Sequence, residues 1–414
     1  MTNKAIIILL SIFFLTLFSC REVYKMEESP FPEADDFLLI EVKPNDKAVD
    51  FLEYIDSVYY VRLDLTDESI IGQIDRLIVF EDRIYIMDWQ TSSIFIFDMK
   101  GRFLSKICRI GNGPGEYVKL HYFDIDGERR HIVLIDLMSY WALRYDLNGK
   151  YVSRKKIRFN TEGFASLPDG GYVSFSNFRN NTLFMKPEYN LIYFDSLMQI
   201  EKAFFPYNSK NFFSPFVQFT GTPGGPFYSF NGETFFHYKM KNEVYQVIPE
   251  GLYLKYRFDF DGKNFNYSAI NKKNGLKEYV RSGKYFINYN VRETPGFLAF
   301  TFSENSTSKV YAGFYSKDSG NTINSTSFVL KFMRFFSHPV ASYEDWFVAE
   351  FSVDGLLRWK KLIDQMNDTF VEKGYKGERD IFLEHKALID RKRLTDSLTL
   401  DDNSVLMFFK LKPF

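Results

Sequence analysis

The chain has 414 residues, enough for one large all-β domain or two ordinary ones, and 52 Lys and Arg nearly cancel 53 Asp and Glu. The formal charge of −1 comes without any basic run, so the electrostatic footprint of a nucleic-acid binder is missing. Aromatic residues make up 19% of the chain, and such side chains suit a pleated, half-buried surface, so the composition leans towards sheet.

At the N-terminus Lys4 precedes the apolar run AIIILLSIFFLTLF, Ala5 to Phe18. That run is too short to span a bilayer, which takes about 20 apolar residues, and it suits the h-region of a signal peptide. LFSC, Leu17 to Cys20, resembles the lipobox of bacterial lipoproteins, with Phe18 where a smaller residue is usual. The resemblance implies that residues 1–19 are removed, that Cys20 is acylated, and that the protein is held in the cell envelope. Buried acyl chains contribute about 0.8 kcal/mol per CH₂ to such anchoring. An ordinary signal peptide cut elsewhere, or an uncleaved anchor, would leave Cys20 incidental. Residues 20–49, opening REVYKMEESPFPEADD, read as a lipidated N-terminus and flexible tether. The one other cysteine, Cys108 in LSKICRI, permits no internal disulfide and is expected to be a small buried hydrophobe.

Next comes a repeat. In IYIMDWQTSSIFIFDMKGRFLSKI (Ile84 to Ile107) and IVLIDLMSYWALRYDLNGKYVSRKKI (Ile132 to Ile157), Asp88 falls on Asp136, Asp98 on Asp146, Gly101 on Gly149 and Phe103 on Tyr151. Every pair is 48 residues apart (136−88, 146−98, 149−101, 151−103). A fixed period in this range with short alternating strands marks a propeller or solenoid. Each unit reads strand, turn, strand, turn, strand, with DMKGR and DLNGK as tight turns.

Fainter copies follow at Phe164 to Phe204, Gly232 to Phe260, Gly296 to Ser316 and Asp345 to Trp359, the last with Asp354-Gly355 as its turn. These predict six blades and no seventh. Apolar residues at 356, 359, 363, 366 and 370 predict one helical face, so a helical insertion is expected over about 356–397, with a shorter one at Asn271 to Phe286. The C-terminal SVLMFFKLKPF reads as a strand that closes the ring by pairing with VYYVRLD, Val58 to Asp64. The predicted fold is therefore all-β: a six-bladed β-propeller of four-stranded antiparallel blades over residues 50–414, with short helical insertions.

Between the first two blades lies RIGNGPGEYVKL. A phosphate loop needs free N–H groups and a helix behind them, whereas Pro114 removes a donor, Glu116 adds negative charge and the following residues alternate like a strand. Gly111, Gly113, Pro114, Gly115 and Glu116 are expected to form a structural inter-blade loop, the glycines supplying backbone angles closed to other residues. GNGPGEY, the NHL-like repeat, the lipobox and DDNSVLMFFKLK together resemble the six-bladed propeller lipoproteins of Bacteroidota, a family largely of unknown function. The resemblance covers roughly residues 50 to 414. Its acidic DNP-type stretch is matched by Asp402-Asn403, with Ser404 in place of proline.

Chemistry is sparse. His121, His131, His237, His338 and His385 carry no metal-ligand spacing. Asp124 and Asp126 in FDIDGERR lack the calcium-loop pattern and read as turn acids. No GxSxG elbow occurs, so no catalytic residue, metal or cofactor is assigned. Asp56, Asp195 and Asp396 each begin an Asp-Ser-aliphatic triplet resembling O-glycosylation sites of that phylum. The most aromatic loop, FFSPFVQFTGTPGGPFYSF (Phe212 to Phe230), is the candidate binding loop, although aromatic residues are expected chiefly between blades.

The expected function is a non-enzymatic binding or scaffold lipoprotein, a monomeric propeller joined to the membrane by its lipid and recognising a glycan, peptide or envelope protein. The alternative is a hydrolase or lyase of exported polysaccharide or peptide. Three or more acids or histidines converging in the channel would favour the enzyme, and an apolar channel would end that reading. A third reading, a subunit of an envelope complex docking through the helix at 356–370, requires that helix to be uncovered.

Overall fold

Ile84–Met87, Ile94–Phe97 and Ile132–Ile135 are buried at every position, whereas the strand Phe103–Ile107 alternates between half-buried and exposed before its last residue. A sheet covered on one face would bury only alternate residues. Each sheet must therefore be covered on both faces, with its last strand at a wet perimeter. The computed structural model describes residues 24–25, 27–30, 36–209, 225–238, 240–267, 282–288, 290–305, 309–330, 333–334, 338–372 and 386–414, and it meets that requirement with a six-bladed propeller.

Blade 1 comprises Arg76–Phe80, Arg83–Asp88, Ser93–Asp98 and Phe103–Ile107, and blade 2 Tyr122–Asp126, His131–Asp136, Trp141–Asp146 and Tyr151–Lys156. Blade 3 comprises Gly163–Ser166, Tyr172–Phe175, Glu188–Phe194 and Ile200–Tyr207, and blade 4 Phe227–Phe230, Glu233–His237, Glu243–Ile248 and Gly251–Asp259. Blade 5 splits its first strand into Tyr285–Ile287 and Arg292–Glu293, followed by Phe297–Glu304, Val310–Ser316 and Thr322–Ser325. Blade 6 combines Ala341–Tyr343, Trp346–Phe351 and Val405–Leu411 with Ile55–Arg62. As expected from the two ends of the sequence, the terminal strands pair antiparallel, Val405 opposite Arg62 and Phe409 opposite Val58.

The core lies between the blades. On blade 1, Ile84 and Ile86 pack with Leu406 and Phe408 of blade 6, while Tyr85 and Met87 pack with Phe123 and Ile132 of blade 2. Period-2 alternation therefore sends neighbouring side chains to opposite blades. The aromatic surplus fills these contacts: Phe175, Phe204 and Phe236 join blades 3 and 4, Phe258, Phe300 and Tyr311 join blades 4 and 5, and Phe314, Phe347 and Phe409 join blades 5 and 6.

The repeated aspartates do one job twice. Asp88 Oδ1 accepts from the N–H of Gln90 (2.9 Å) and Thr91 (3.1 Å), and Oδ2 from Gly72 N–H (2.9 Å). Asp136 accepts from Met138 (2.9 Å), Ser139 (3.3 Å) and Val118 (2.8 Å). Each buried carboxylate folds the turn behind it and ties down the chain entering its own blade. At the ring closure Asn403 takes the equivalent post. It accepts from Ile71 N–H at 2.9 Å and donates to the carbonyls of Asp64 and Ser69, each at 2.8 Å.

Three expectations are corrected. Residues 36–50 are not free tether: Leu38–Glu41 runs parallel to the outer strand of blade 4, with Ile40 fully buried, and Val49–Asp50 pairs with Phe328–Val329. The open edge of blade 4 offers unpaired backbone groups, and alternating LLIEV can bury one face there. Asp354-Gly355 is not a blade turn but the first turn of helix α1 (Val353–Glu372), capped by the Ser352 hydroxyl, which accepts from Gly355 N–H at 3.2 Å. Cys108 is exposed, its thiol 4.0 Å from Thr91 O, because the blade has ended one residue earlier.

The predicted helical face is present. Leu356, Trp359 and Ile363 of α1 are buried, Trp359 and Ile363 against the cluster that holds Phe51 and Phe409. Its own blades cover that face, which removes the motive for reading α1 as a docking surface. A second helix, α2 (Lys386–Asp396), follows; residues 373–385 lie outside the described residues, as do 271–281 of the shorter excursion expected at Asn271 to Phe286, whose last two residues, Tyr285 and Phe286, instead begin the first strand of blade 5.

Candidate functional site

All six innermost strands converge on one cavity of 610 Å³. Its walls include Arg76, Asp124, Ser166, Tyr228, Arg292 and Ala341, one or more from every blade, and its lining reaches the turns after the first strands of blades 1, 2, 3, 4 and 6. The walls mix apolar side chains such as Phe80 and Phe227 with charged ones, so the channel is not apolar.

Two buried carboxylates stand deep in this cavity. Asp124 Oδ1 accepts from Arg76 Nη2 at 3.0 Å and Oδ2 from Ser166 N–H at 2.8 Å, while Arg76 Nη1 donates to the Tyr122 hydroxyl. Burial pushes the Asp124 carboxyl above its ordinary range, and the Arg76 guanidinium opposes that shift. Glu293 accepts from Tyr228 at 3.0 Å, from Lys317 Nζ at 2.7 Å and from the Tyr256 hydroxyl. Both acids are saturated by fixed donors. Neither is placed as a free general base.

Arg292 differs. It is buried, yet among the described residues its guanidinium bonds only backbone carbonyls, Nε to Val340 O at 2.9 Å and Nη1 to Val291 O. Burial, and then the neighbouring Arg76 charge, pulls its pKa down to about 10, so it stays cationic at neutral pH. His338, bonded to Asn290 O at 2.8 Å, is driven to about 3 by burial and then by Arg292, which leaves its imidazole neutral. The exposed rim carries Glu81, Glu128 and Glu344.

The glycine loop lies between blades 1 and 2, outside this cavity. The Glu116 carboxylate accepts from Gly113 N–H at 2.8 Å, and Tyr117 N–H and Gly111 N–H each bond across the loop at 3.0 Å. The loop's anion is thus its own side chain. Only Gly115 of the three glycines has a left-handed backbone, φ 74°, and a Cβ there would sit 2.6 Å from Tyr151 Cγ. Gly111 instead makes room, since its Cβ would lie 2.1 Å from Glu116 Oε2. The expectation that all three supply unusual angles is corrected to one angle and close packing at the others. Gly115→Ala is expected to cost about 1–3 kcal/mol in urea denaturation. Gly111→Ala should be rescued by adding Glu116→Ala, whereas Gly115→Ala should not.

Other sequence candidates disperse. Asp126 serves as expected in a turn, accepting from Arg129 N–H at 3.0 Å, but Asp124 points into the channel network and not a turn. His121 and His237 bond backbone groups, and no three His, Cys, Asp or Glu among the described residues are grouped to hold a metal. Cys20, His385 and residues 212–224 of the aromatic loop lie outside the described residues, while Phe227–Phe230 at that loop's end form the innermost strand of blade 4 and line the cavity. Arg76, Arg292 and Glu293 were missed. Their signal was charge within a blade's innermost strand, Arg76 opening RLIVF in blade 1 and Arg292-Glu293 forming the second segment of blade 5's first strand in VRETPGF.

A family profile for a domain of unknown function, DUF4934, matches residues 38–410. The chain belongs to the DUF4934 family. The match begins with the strand at 38 that the sequence had suggested was tether. No curated protein matches this DUF4934 chain. Among solved structures, a Bacteroides fragilis protein classed as exported superposes with a TM-score of 0.67 at 20% identity, covering 91% of this chain and 100% of its own. That likeness supports the fold. A DUF4221 protein of Bacteroides vulgatus gives a TM-score of 0.48 at 9% identity, covering 86% of this chain and 97% of its own.

Proposed function

We propose that this DUF4934 propeller is a non-enzymatic binding protein of the cell envelope, anchored by lipid on Cys20, whose channel cavity recognises a glycan, peptide or envelope partner. The observation that carries it is a 610 Å³ cavity in which both deep carboxylates are occupied by fixed donors while the buried Arg292 guanidinium has no carboxylate partner among the described residues. Pockets of about 300–1,000 Å³ with a few convergent polar groups are typical of ligand sites. The exported relative in Bacteroides supports the compartment, and the lipobox supports the anchor.

Ser229 is exposed on the innermost strand of blade 4 and lines the cavity, so Ser229→Trp fills the channel without disturbing a core contact. Wild-type protein should bind members of a glycan, peptide and envelope-extract panel, and Ser229→Trp should lose them. Retained binding would move the site elsewhere. Cys20→Ala should lose radiolabelled palmitate and leave the membrane fraction; a membrane-bound, unlabelled wild type would overturn the anchor.

Five carboxylates among the lining residues favour the second reading, a hydrolase or lyase. The exposed ones, Glu81, Glu128 and Glu344, are the catalytic candidates. Turnover on the same panel, abolished by their alanine variants, would establish it.

A further inference from the structure

We infer that the cavity takes a ligand carrying a single carboxylate, an acidic sugar within an otherwise uncharged glycan, with that carboxylate seated on Nη2 of Arg292. This deepens the binding function proposed above and rests on it. The cavity walls hold two cations, Arg76 and Arg292, against two deep carboxylates, Asp124 and Glu293, and Glu293 is already paired with Lys317 from outside the lining. One positive charge remains. It belongs to Arg292, whose Nε and Nη1 are taken by backbone carbonyls and whose Nη2 donates to no described residue.

A buried guanidinium held only by two carbonyl dipoles bears the desolvation cost of its charge without a counter-charge. A carboxylate arriving there makes a charge-assisted hydrogen bond in a low-dielectric site, the strongest kind available to it. A monoanion balances the surplus, whereas a phosphate monoester would overshoot it. The rim acids Glu81, Glu128 and Glu344 repel polyanions, which leaves one charge on a neutral carrier. The lining also includes the aromatic residues Phe80, Phe230 and Tyr343 beside the hydroxyl and amide groups of Ser229, Ser342 and Asn231. That pairing suits the apolar face and hydroxyl edge of a sugar ring better than a peptide backbone.

The test is calorimetry on the folded chain with matched tetrasaccharides: one bearing a single glucuronate, its neutral glucose counterpart, and a glucose-6-sulfate analogue, with a dipeptide carrying a free C-terminal carboxylate beside them. The glucuronate form should bind at least tenfold tighter than the neutral one. Arg292→Gln should cost it about 30-fold or more while leaving the neutral sugar unchanged. Arg292→Lys, which keeps the charge, should lose less. Should Arg292→Gln not fold, Glu81→Gln with Glu344→Gln, both at exposed positions, should tighten the glucuronate ligand several-fold at low salt.

Equal affinity for charged and neutral sugars, or no response to either set of variants, overturns the inference and leaves channel binding standing. Tighter binding of the sulfate or of the dipeptide overturns the acidic-sugar assignment. Binding of none of them, with Ser229→Trp also silent on the wider panel, overturns both.

Discussion

Truncation after Ser404 leaves no cooperatively unfolding propeller. Val405–Leu411 lies between Trp346–Phe351 and Ile55–Arg62, so its removal strips both of their hydrogen-bonded neighbour and opens the ring at blade 6. Every residue from Val405 to Phe409 is fully buried, with Leu406 and Phe408 facing blade 1 and Met407 and Phe409 in the cluster shared with blade 5. Two inter-blade contacts fail at once. A graded version isolates one side chain. Phe409 meets Phe51, Phe314 and Phe347 at ring-centre distances of 5.7, 6.3 and 5.6 Å, so Phe409→Ala should cost about 3–5 kcal/mol, and Phe409→Leu less than about 1.5 kcal/mol. Urea denaturation followed by circular dichroism reads both. A truncated chain that unfolds cooperatively at the wild-type midpoint would show that the terminal strand does not close the ring.

Arg76→Ala is expected to destabilise the protein by about 3–5 kcal/mol, because it leaves the Asp124 carboxylate buried beside the channel without its cation. Arg76 also donates to the Tyr122 hydroxyl, so blade 1 loses its polar link to blade 2. The diagnostic variant is the double replacement Arg76→Met with Asp124→Leu. Two apolar side chains of similar volume remove both desolvation costs, and the double variant should recover most of the loss. About 1 kcal/mol should remain, from Ser166 N–H losing its acceptor. If the double variant is as unstable as Arg76→Ala, packing and not charge is what Arg76 supplies.

Much of the fold was legible because it rests on local rules. Strand alternation, the turn glycines Gly101 and Gly149, and the 48-residue interval between Asp88 and Asp136 (136−88) each leave a mark within one blade. The closing pair was legible for a different reason: a ring of blades has to close, and the apolar strands near the two ends of the chain were the natural partners. Residues 36–50 were not. Their acids and Pro44 resemble linker composition, and only the open edge of blade 4, formed by residues more than 200 positions later, makes a strand of Leu38–Glu41. Asp354-Gly355 misled because the same dipeptide serves a hairpin turn and the first turn of a helix, and the buried face of α1 decides between them.

The candidate site depended on tertiary structure more heavily. By sequence alone the chain determined its class, its blade number and the structural character of the loop between blades 1 and 2, since these follow from short-range periodicity and turn chemistry, while the need of a ring to close pointed to the pairing of its two ends. Only the closed ring decided that Arg76, Asp124, Arg292 and Glu293 share one cavity. A propeller brings one short strand from each blade to its axis, so side chains separated by most of the chain length become neighbours there. Which of their charges are matched, and which is left over, depends on distances that no single blade contains.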